Sequence, residues 1–293
     1  MGSEIGQAIA AGILGGGVYA LMAAGLTLVF GVLDIINVAQ GILVVLGAYL
    51  SYTISQHLHL DPLVGLVITV PGMFLLGLVI YWLFIRPLRG AERTSMTLLA
   101  CFAVALIIEG VLYRVYGSGY VSITAWFTSS SIHILDFYLA DSYLIGFGLA
   151  AVAMALLYLM LYRTTFGRAV RATMQNQSAA RLIGIDVTRV SAVTFGIGTA
   201  VTAVGGMVYG AISGGFTPNS GYDLISRLLA IVILAGMGSI GGALVTAVLM
   251  TTAEALVDIW QPDWSVAVFY AALVIILTIR PAGLFGRRAV RAQ

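Results

Sequence analysis

Lysine is absent, and all 14 basic residues of the chain are arginine. That removes several chemistries. A nucleotide-binding P-loop needs its lysine on the β/γ-phosphates, and a Schiff base to retinal or pyridoxal phosphate needs a lysine amine. No cofactor is therefore expected on this chain, and any ATP it depends on should be hydrolysed, with its Mg²⁺, on other subunits. Cysteine is nearly absent too: Cys101 lies alone in an apolar run and has no partner for an intrachain disulfide. Charged residues make up 9% of 293 residues, against about 25% in soluble domains. With 60% hydrophobic residues and a mean hydropathy of +1.04, there is too little polar surface to coat a globule in water. A multi-pass membrane protein follows. Histidine is scarce as well: His57, His59 and His133 fall in predicted loops without metal-ligand spacing, so they are expected to be solvated and no metal site is expected. Residues 1–8 lack the basic n-region of a signal peptide, and Gly6 stands where a myristoylation signal has Ser or Thr. The net charge is only +2, and no nucleic-acid partner is expected.

A bilayer core asks for about 20 apolar residues per helix. That ruler marks spans at 8–31, 37–55, 63–85, 96–116, 143–162 and 191–212, a weaker pair at 224–237 and 241–258, and a last span at 265–280. The expected fold is an all-α polytopic membrane helix bundle of about 8–10 transmembrane segments, some broken or short, forming one domain over 1–293. Asp61-Pro62, Arg86-Pro87 and Arg280-Pro281 each join a charge to a helix-ending proline. Arginine sets the orientation. With nine alternating spans, 12 of the 14 arginines fall on one face, which the positive-inside rule makes cytoplasmic. The N-terminus is then outside and the C-terminus inside. Arg114 and Arg227 are the exceptions, each near an outer helix end where a long side chain can snorkel.

The longest polar island, about residues 163–190, carries Arg163, Arg168, Arg171, Arg181 and Arg189. Inside it Ser178 is expected to cap a short helix, Ala179-Ala180-Arg181-Leu182-Ile183, that Gly184 stops in a left-handed conformation. On charge alone the island reads equally as a topology signal or as a surface gripped by a partner. Two apolar stretches are interrupted. Asp34, Asn37 and Gln40 break the first, with Asp34 expected in a cytoplasmic turn. Asn37 and Gln40 are three apart and so on one helix face, as helix–helix glue or as pathway lining. Gly236, Gly238, Ser239, Gly241 and Gly242 break the second. Irregular backbone at membrane depth is tolerated only where protein or a cavity covers it, so 31–41 and 236–242 are expected to form a pair at the translocation pathway. Glu109 lies deep in its span, where an unpaired carboxylate costs roughly 2.5–3.5 kcal/mol; it is expected to be protonated or partnered by another helix. Glu254 and Asp258, four apart, are expected at a solvated helix end. The outer loops 117–142, with Trp126, Phe127, Phe137 and Tyr138, and 213–223 suit an interface belt or a docking surface for a binding protein.

Four of these blocks also carry a resemblance. Phe166-Gly167-Arg168-Ala169-Val170-Arg171-Ala172, followed by Ala179-Ala180-Arg181-Leu182-Ile183-Gly184-Ile185, resembles the coupling loop of bacterial branched-chain amino acid ABC permeases. The Gly25–Tyr49 block resembles the same family, with Gln40 where histidine is usual and Ile42 where an acidic residue is common. So do Gly236-Met237-Gly238-Ser239-Ile240-Gly241-Gly242, where the family commonly has proline at or near Gly241, and the closing Arg280-Pro281-Ala282-Gly283-Leu284-Phe285-Gly286. The resemblance implies an importer subunit in the bacterial inner membrane, in contact with membrane lipid. It implies a homologous second permease, two cytoplasmic ATPase subunits and a periplasmic substrate-binding protein as partners. Gly167, Arg168, Arg171, Ser178, Ala179, Ala180, Arg181, Leu182 and Gly184 would couple to the ATPases; Asn37, Gln40, Gly41, Gly236, Gly238, Ser239 and Gly242 would line the pathway. The implied solute is a branched-chain amino acid, with urea, short amides and aromatic acids as alternatives. The chain itself would not be an enzyme. Readings from other classes are a proton-coupled transporter using Glu109 and a solute channel constricted at the glycine breaks.

Overall fold

The computed structural model describes residues 2–88, 90, 92–128, 131–134 and 137–286. Arg89, Arg287, Arg288 and Arg291 lie outside the described residues, as do the side chains of His133, Phe137 and Tyr138. The helices are α1 (Gly2–Leu33), α2 (Gln40–Leu58), α3 (Pro62–Ile80), α4 (Arg93–Tyr116), α5 (Asp141–Arg163), α6 (Thr165–Gln175), α7 (Gln177–Leu182), α8 (Val187–Ile212), α9 (Ser220–Ala235), α10 (Ile240–Trp260), α11 (Pro262–Ser265) and α12 (Ala267–Ile279). A wider π-helical turn, Tyr81–Ile85, continues α3, and a hairpin of β1 (Ser131–Ile134) and β2 (Phe137–Ala140) precedes α5. Among the described residues eight helices are long and apolar enough to cross a membrane. The fold is an all-α polytopic bundle.

Helix α8 is the centre, packed by α1, α2, α3 and α5. Association inside lipid depends on close backbone approach rather than on hydrophobic burial, which favours small residues. A Cβ on Gly47 of α2 would stand 2.9 Å from the Thr202 carbonyl oxygen of α8. On the other side α1 crosses α10, where a Cβ on Gly16 would stand 2.7 Å from the Val248 Cα. Thr251 ties that crossing by donating its hydroxyl to the Gly12 carbonyl at 2.7 Å.

Prolines do more than end helices. Pro62 opens α3, with Asp61 as N-cap accepting from the Leu63 N–H at 2.9 Å, the first-turn position where a missing N–H costs nothing. His57 belongs to the last turn of α2, His59 is its left-handed C-cap (φ 51°), and His133 lies in β1, so the predicted loops give way to ordered elements at all three histidines. The loops 117–142 and 213–223 meet: Val121 and Phe216 exchange backbone hydrogen bonds of 3.0 and 2.8 Å. Trp126 and Tyr120 are exposed there, whereas Phe127 is buried and contributes nothing to an interface belt.

Helices α2 and α9 have buried entries that meet inside the bundle. Between α1 and α2 the chain turns at Asp34, exposed with φ 56°, and then runs inward as a buried segment through Ile35, Asn37 and Ala39. Helix α9 has 16 residues, about 24 Å, less than the roughly 30 Å of a hydrocarbon core. Its entry, at Gly221, packs on Gly41 and Ile42 at the entry of α2. The break at 31–41 therefore packs against the first turns of α9. Its relation to 236–242 is looser, through a shared cavity.

Candidate functional site

The polar island holds two helices rather than one. Thr164 caps α6, accepting from the Gly167 N–H at 3.0 Å. Gly167 lies directly under the Met160 and Leu161 carbonyls of α5, where a Cβ has no room. Arg171 Nη1 donates to the Leu161 carbonyl, and its guanidinium lies 4.8 Å from the Tyr162 ring. A cation on the open carbonyls of a helix end is favourable, so Arg171 fastens α6 to α5. Arg168 points to solvent.

Asn176, not Ser178, caps α7: its Oδ1 accepts from the Ala179 N–H at 2.9 Å. Ser178 sits inside the first turn and is exposed. Both residue types cap well; the extended backbone at Asn176 (φ −161°, ψ 108°) decides between them. Gly184 has φ 84°, as expected, and the Ile185 N–H closes the helix on the Ala180 carbonyl at 3.0 Å. Gln177 Nε2 donates to the Val32 carbonyl at 2.8 Å, joining α7 to the last turn of α1. Ala180 is buried against the bundle, while Ala179 and Arg181 face out, Leu182 is 89% exposed and Ile183 is 74% exposed. Asp186 then caps α8, accepting from the Arg189 N–H at 3.1 Å.

The glycine break lies beside this surface. Gly236 and Gly238 take φ 91° and 90°, and the Ser239 hydroxyl caps α10 by accepting from the Gly242 N–H at 3.1 Å. The closing Arg280–Gly286 turn folds onto the break. Leu284 and Phe285 N–H groups bond the Leu234 and Ala235 carbonyls at 2.7 and 3.0 Å, and Gly236 touches Gly283 and Gly286. A cavity of about 1040 Å³ joins the parts. It is lined by Phe30 and Gly31 of α1 and Asp34 just beyond it, by Arg171 and Thr173 to Gln177 along α6 and the entry of α7, and by Met237 to Gly241 from the break. The cavity thus reaches Gly238 and Ser239 of the expected pathway residues. Asn37, Gln40 and Gly41 do not line it. Asn37 Nδ2 donates to Gln40 Oε1 at 3.1 Å, both side chains are fully buried, and Asn37 Oδ1 and Gln40 Nε2 have no partner among the described residues.

Two membrane-depth contacts stand apart from this end. Tyr222 of α9 donates to Glu109 Oε2 at 2.6 Å, the interhelix partner expected for that carboxylate. Arg227 does not snorkel and Glu254 is not at a solvated end. Arg227 Nη1 meets both Glu254 oxygens at 2.6 and 2.7 Å, with side chains 19% and 16% exposed. Asp258 is exposed. Their opposite charges at similar expected depth in neighbouring spans were the available signal. Among the described residues no three His, Cys, Asp or Glu side chains gather as metal ligands.

Comparison with known proteins agrees with these motifs. Residues 8–277 match the family model described as the branched-chain amino acid transport system permease component. The chain is 28% identical to the high-affinity branched-chain amino acid transport system permease protein LivH of Salmonella typhimurium, over 95% of this chain and 94% of that protein. It is 29% identical to BraD of Pseudomonas aeruginosa, a permease protein of the same description, over 97% and 96%. LivM of Salmonella typhimurium is 26% identical over 91% of this chain and 67% of that protein. Among solved structures, a chain of PsaBC from Streptococcus pneumoniae in complex with Fab shares the fold, with a TM-score of 0.50 at 14% identity over 94% and 91% of the two chains. With nearly its whole length matched and its four motif blocks placed in one bundle, the chain belongs to the family of branched-chain amino acid transport system permease components.

Proposed function

We propose that the chain is the membrane-spanning permease subunit of an ABC importer for branched-chain amino acids, driven by separate ATPase subunits that bind ATP and Mg²⁺. The observation that carries this reading beyond family membership is α7. A capped helix, bonded to α1 through Gln177 and packed through Ala180, holds Leu182 and Ile183 out in water. Two large exposed apolar side chains on a rigid knob suit insertion into a partner's cleft. The ATPase subunits are that partner. Gly167, Arg171 and Gly184 shape and anchor the knob, and Ser178, Ala179, Arg181, Leu182 and the neighbouring Arg168 form its contact surface.

In this reading the chain sits in the bacterial inner membrane with its N-terminus outside and its C-terminus in the cytoplasm, because the arginines gather at the α7 end. Two permeases with different names in Salmonella typhimurium, LivH and LivM, both align to this chain, which supports a heterodimer with a homologous permease. The joined outer loops at Val121 and Phe216 are the docking surface for a periplasmic binding protein. Closure of the ATPases moves α6 and α7. The cavity next to Gly238 and Ser239 changes shape with them, and the meeting of α2 and α9 at Gly41 opens to one side at a time. Asn37 Oδ1 and Gln40 Nε2, an acceptor and a donor without partners, then face the passing solute.

The experiment is leucine uptake into proteoliposomes carrying the chain with its co-purified subunits and binding protein. Uptake should require ATP hydrolysis on the cytoplasmic side and should be competed by isoleucine and valine. Uptake that persists without ATP, or that does not saturate, would reject the reading in favour of a Glu109 transporter or a channel.

A further inference from the structure

A second cavity, of about 500 Å³, lies on the other side of α7 and has no role in the reading above. Three arginines line it, Arg86, Arg93 and Arg181, and no Asp or Glu does among the described residues. Asp186, close by, is engaged with Arg189 at 3.2 Å and caps α8. Arg93 Nε is buried with no hydrogen-bond partner among the described residues, a costly state for a charged group. The first two turns of the long helix α8 contribute Val187, Thr188 and Ser191 to the wall, and a helix N-terminus favours an anion. Three arginines around a cavity with no acidic residue in its described wall call for an anionic ligand.

The surroundings of the cavity say where that ligand comes from. The π-helical turn is closed by the Arg86 N–H on the Tyr81 carbonyl at 2.8 Å. On an α-helix residues five apart diverge by about 140°; here the wider turn brings Tyr81 and Arg86 to the same cavity. The Arg86 guanidinium also lies 4.0 Å from the Trp82 ring. Trp82 is 42% exposed, and Leu83 and Phe84 beside it are exposed as well, on the flank of a span where exposed apolar side chains face acyl chains. Aromatic and arginine side chains at this level are features of the membrane interface. We propose that this cavity is a binding site for the phosphate headgroup of an anionic phospholipid of the cytoplasmic leaflet, with the acyl chains on Trp82 and Leu83. A basic pocket between helices on that side is suited to such a headgroup. Because Arg181 and Gln177 belong to α7, the lipid would also steady the coupling helix.

The test reads fluorescence quenching of Trp82 in a variant whose other tryptophans are phenylalanine (Trp126→Phe, Trp260→Phe, Trp264→Phe). The purified permease is placed in nanodiscs of phosphatidylcholine in which a fixed fraction is acyl-brominated phosphatidylglycerol or acyl-brominated phosphatidylcholine. Brominated phosphatidylglycerol should quench Trp82 several-fold more. The preference should disappear in Arg86→Gln/Arg93→Gln, be weakened in Arg93→Gln alone, and persist in Arg114→Gln. Equal quenching by both lipids overturns the proposal, and so does a preference that survives the double variant. Inorganic phosphate that abolishes the preference at millimolar concentration would assign the cavity to a free anion. Loss of the preference on adding the ATPase subunits would assign it to protein docking. Either result overturns the lipid.

Discussion

Arg227 and Glu254 give the clearest residue-scale expectation. Removing one partner of a buried pair leaves the other charge uncompensated, at about 3–5 kcal/mol, whereas replacing both by apolar residues is often neutral. Glu254→Ala should therefore lower the unfolding temperature in detergent sharply, and Arg227→Met/Glu254→Leu should recover most of the loss. At the cap, Asn176→Ala should remove about 1 kcal/mol of local stability, visible as faster amide exchange in α7. Ser178→Ala should leave that exchange unchanged, because its side chain is not the cap. These residues also mark where the sequence could not be read. Cap propensity does not separate Asn176 from Ser178, since the choice rests on backbone dihedrals set by α6 packing under α5. Nor does residue type separate an arginine that snorkels from one that meets a carboxylate on the next helix. For Glu109 the sequence left protonation and an interhelix partner both open, and it did not single out Tyr222.

At the scale of elements, hydropathy alone placed nearly every span, because length and apolar character are local properties. What it missed were the helices defined by packing. Helix α6 announces itself only through the Thr164 cap and the spacing of Gly167, Val170 and Thr173, its buried residues. The break before α9 reads in sequence as a loop suited to an interface belt or a docking surface, and nothing local shows that its Phe216 is buried among Tyr49, Gly210 and Ile123. The Gly236–Gly242 and Arg280–Gly286 motifs were legible separately; that they form one hydrogen-bonded unit depends on contacts between distant residues. Close crossings suggest a test. Gly16→Leu puts a side chain where the α10 backbone stands, and overpacking costs typically about 1–3 kcal/mol. The variant should unfold at lower temperature and yield less monodisperse protein. Leu182→Asp/Ile183→Asp should behave oppositely. Both side chains are exposed, so stability should change within about 0.5 kcal/mol, while permease-stimulated ATP hydrolysis should fall at least tenfold.

The whole molecule has two distinct ends. One holds α6, α7, the glycine break, the closing turn and the arginine-lined cavity; the other holds the joined Val121 and Phe216 loops. The sequence carried this division in its arginines, through a rule about loops rather than contacts. Its weak point is α9, a ninth crossing that is too short to be read from length. With Cys101→Ala as background, single cysteines at Ser178 and Tyr120 separate the possibilities. The Ser178→Cys variant should react with a membrane-impermeant maleimide only after the membrane is opened, and the Tyr120→Cys variant should react before. The most direct measurement of the central claim, that this permease is energised through α7, is a mild-detergent pull-down with mass spectrometry of the recovered proteins. The wild-type chain should bring down ATPases with Walker motifs and a second permease, and Leu182→Asp/Ile183→Asp should lose the ATPases while keeping the permease. A wild-type chain that returns alone in several detergents, or a variant that retains the ATPases in full, would contradict it.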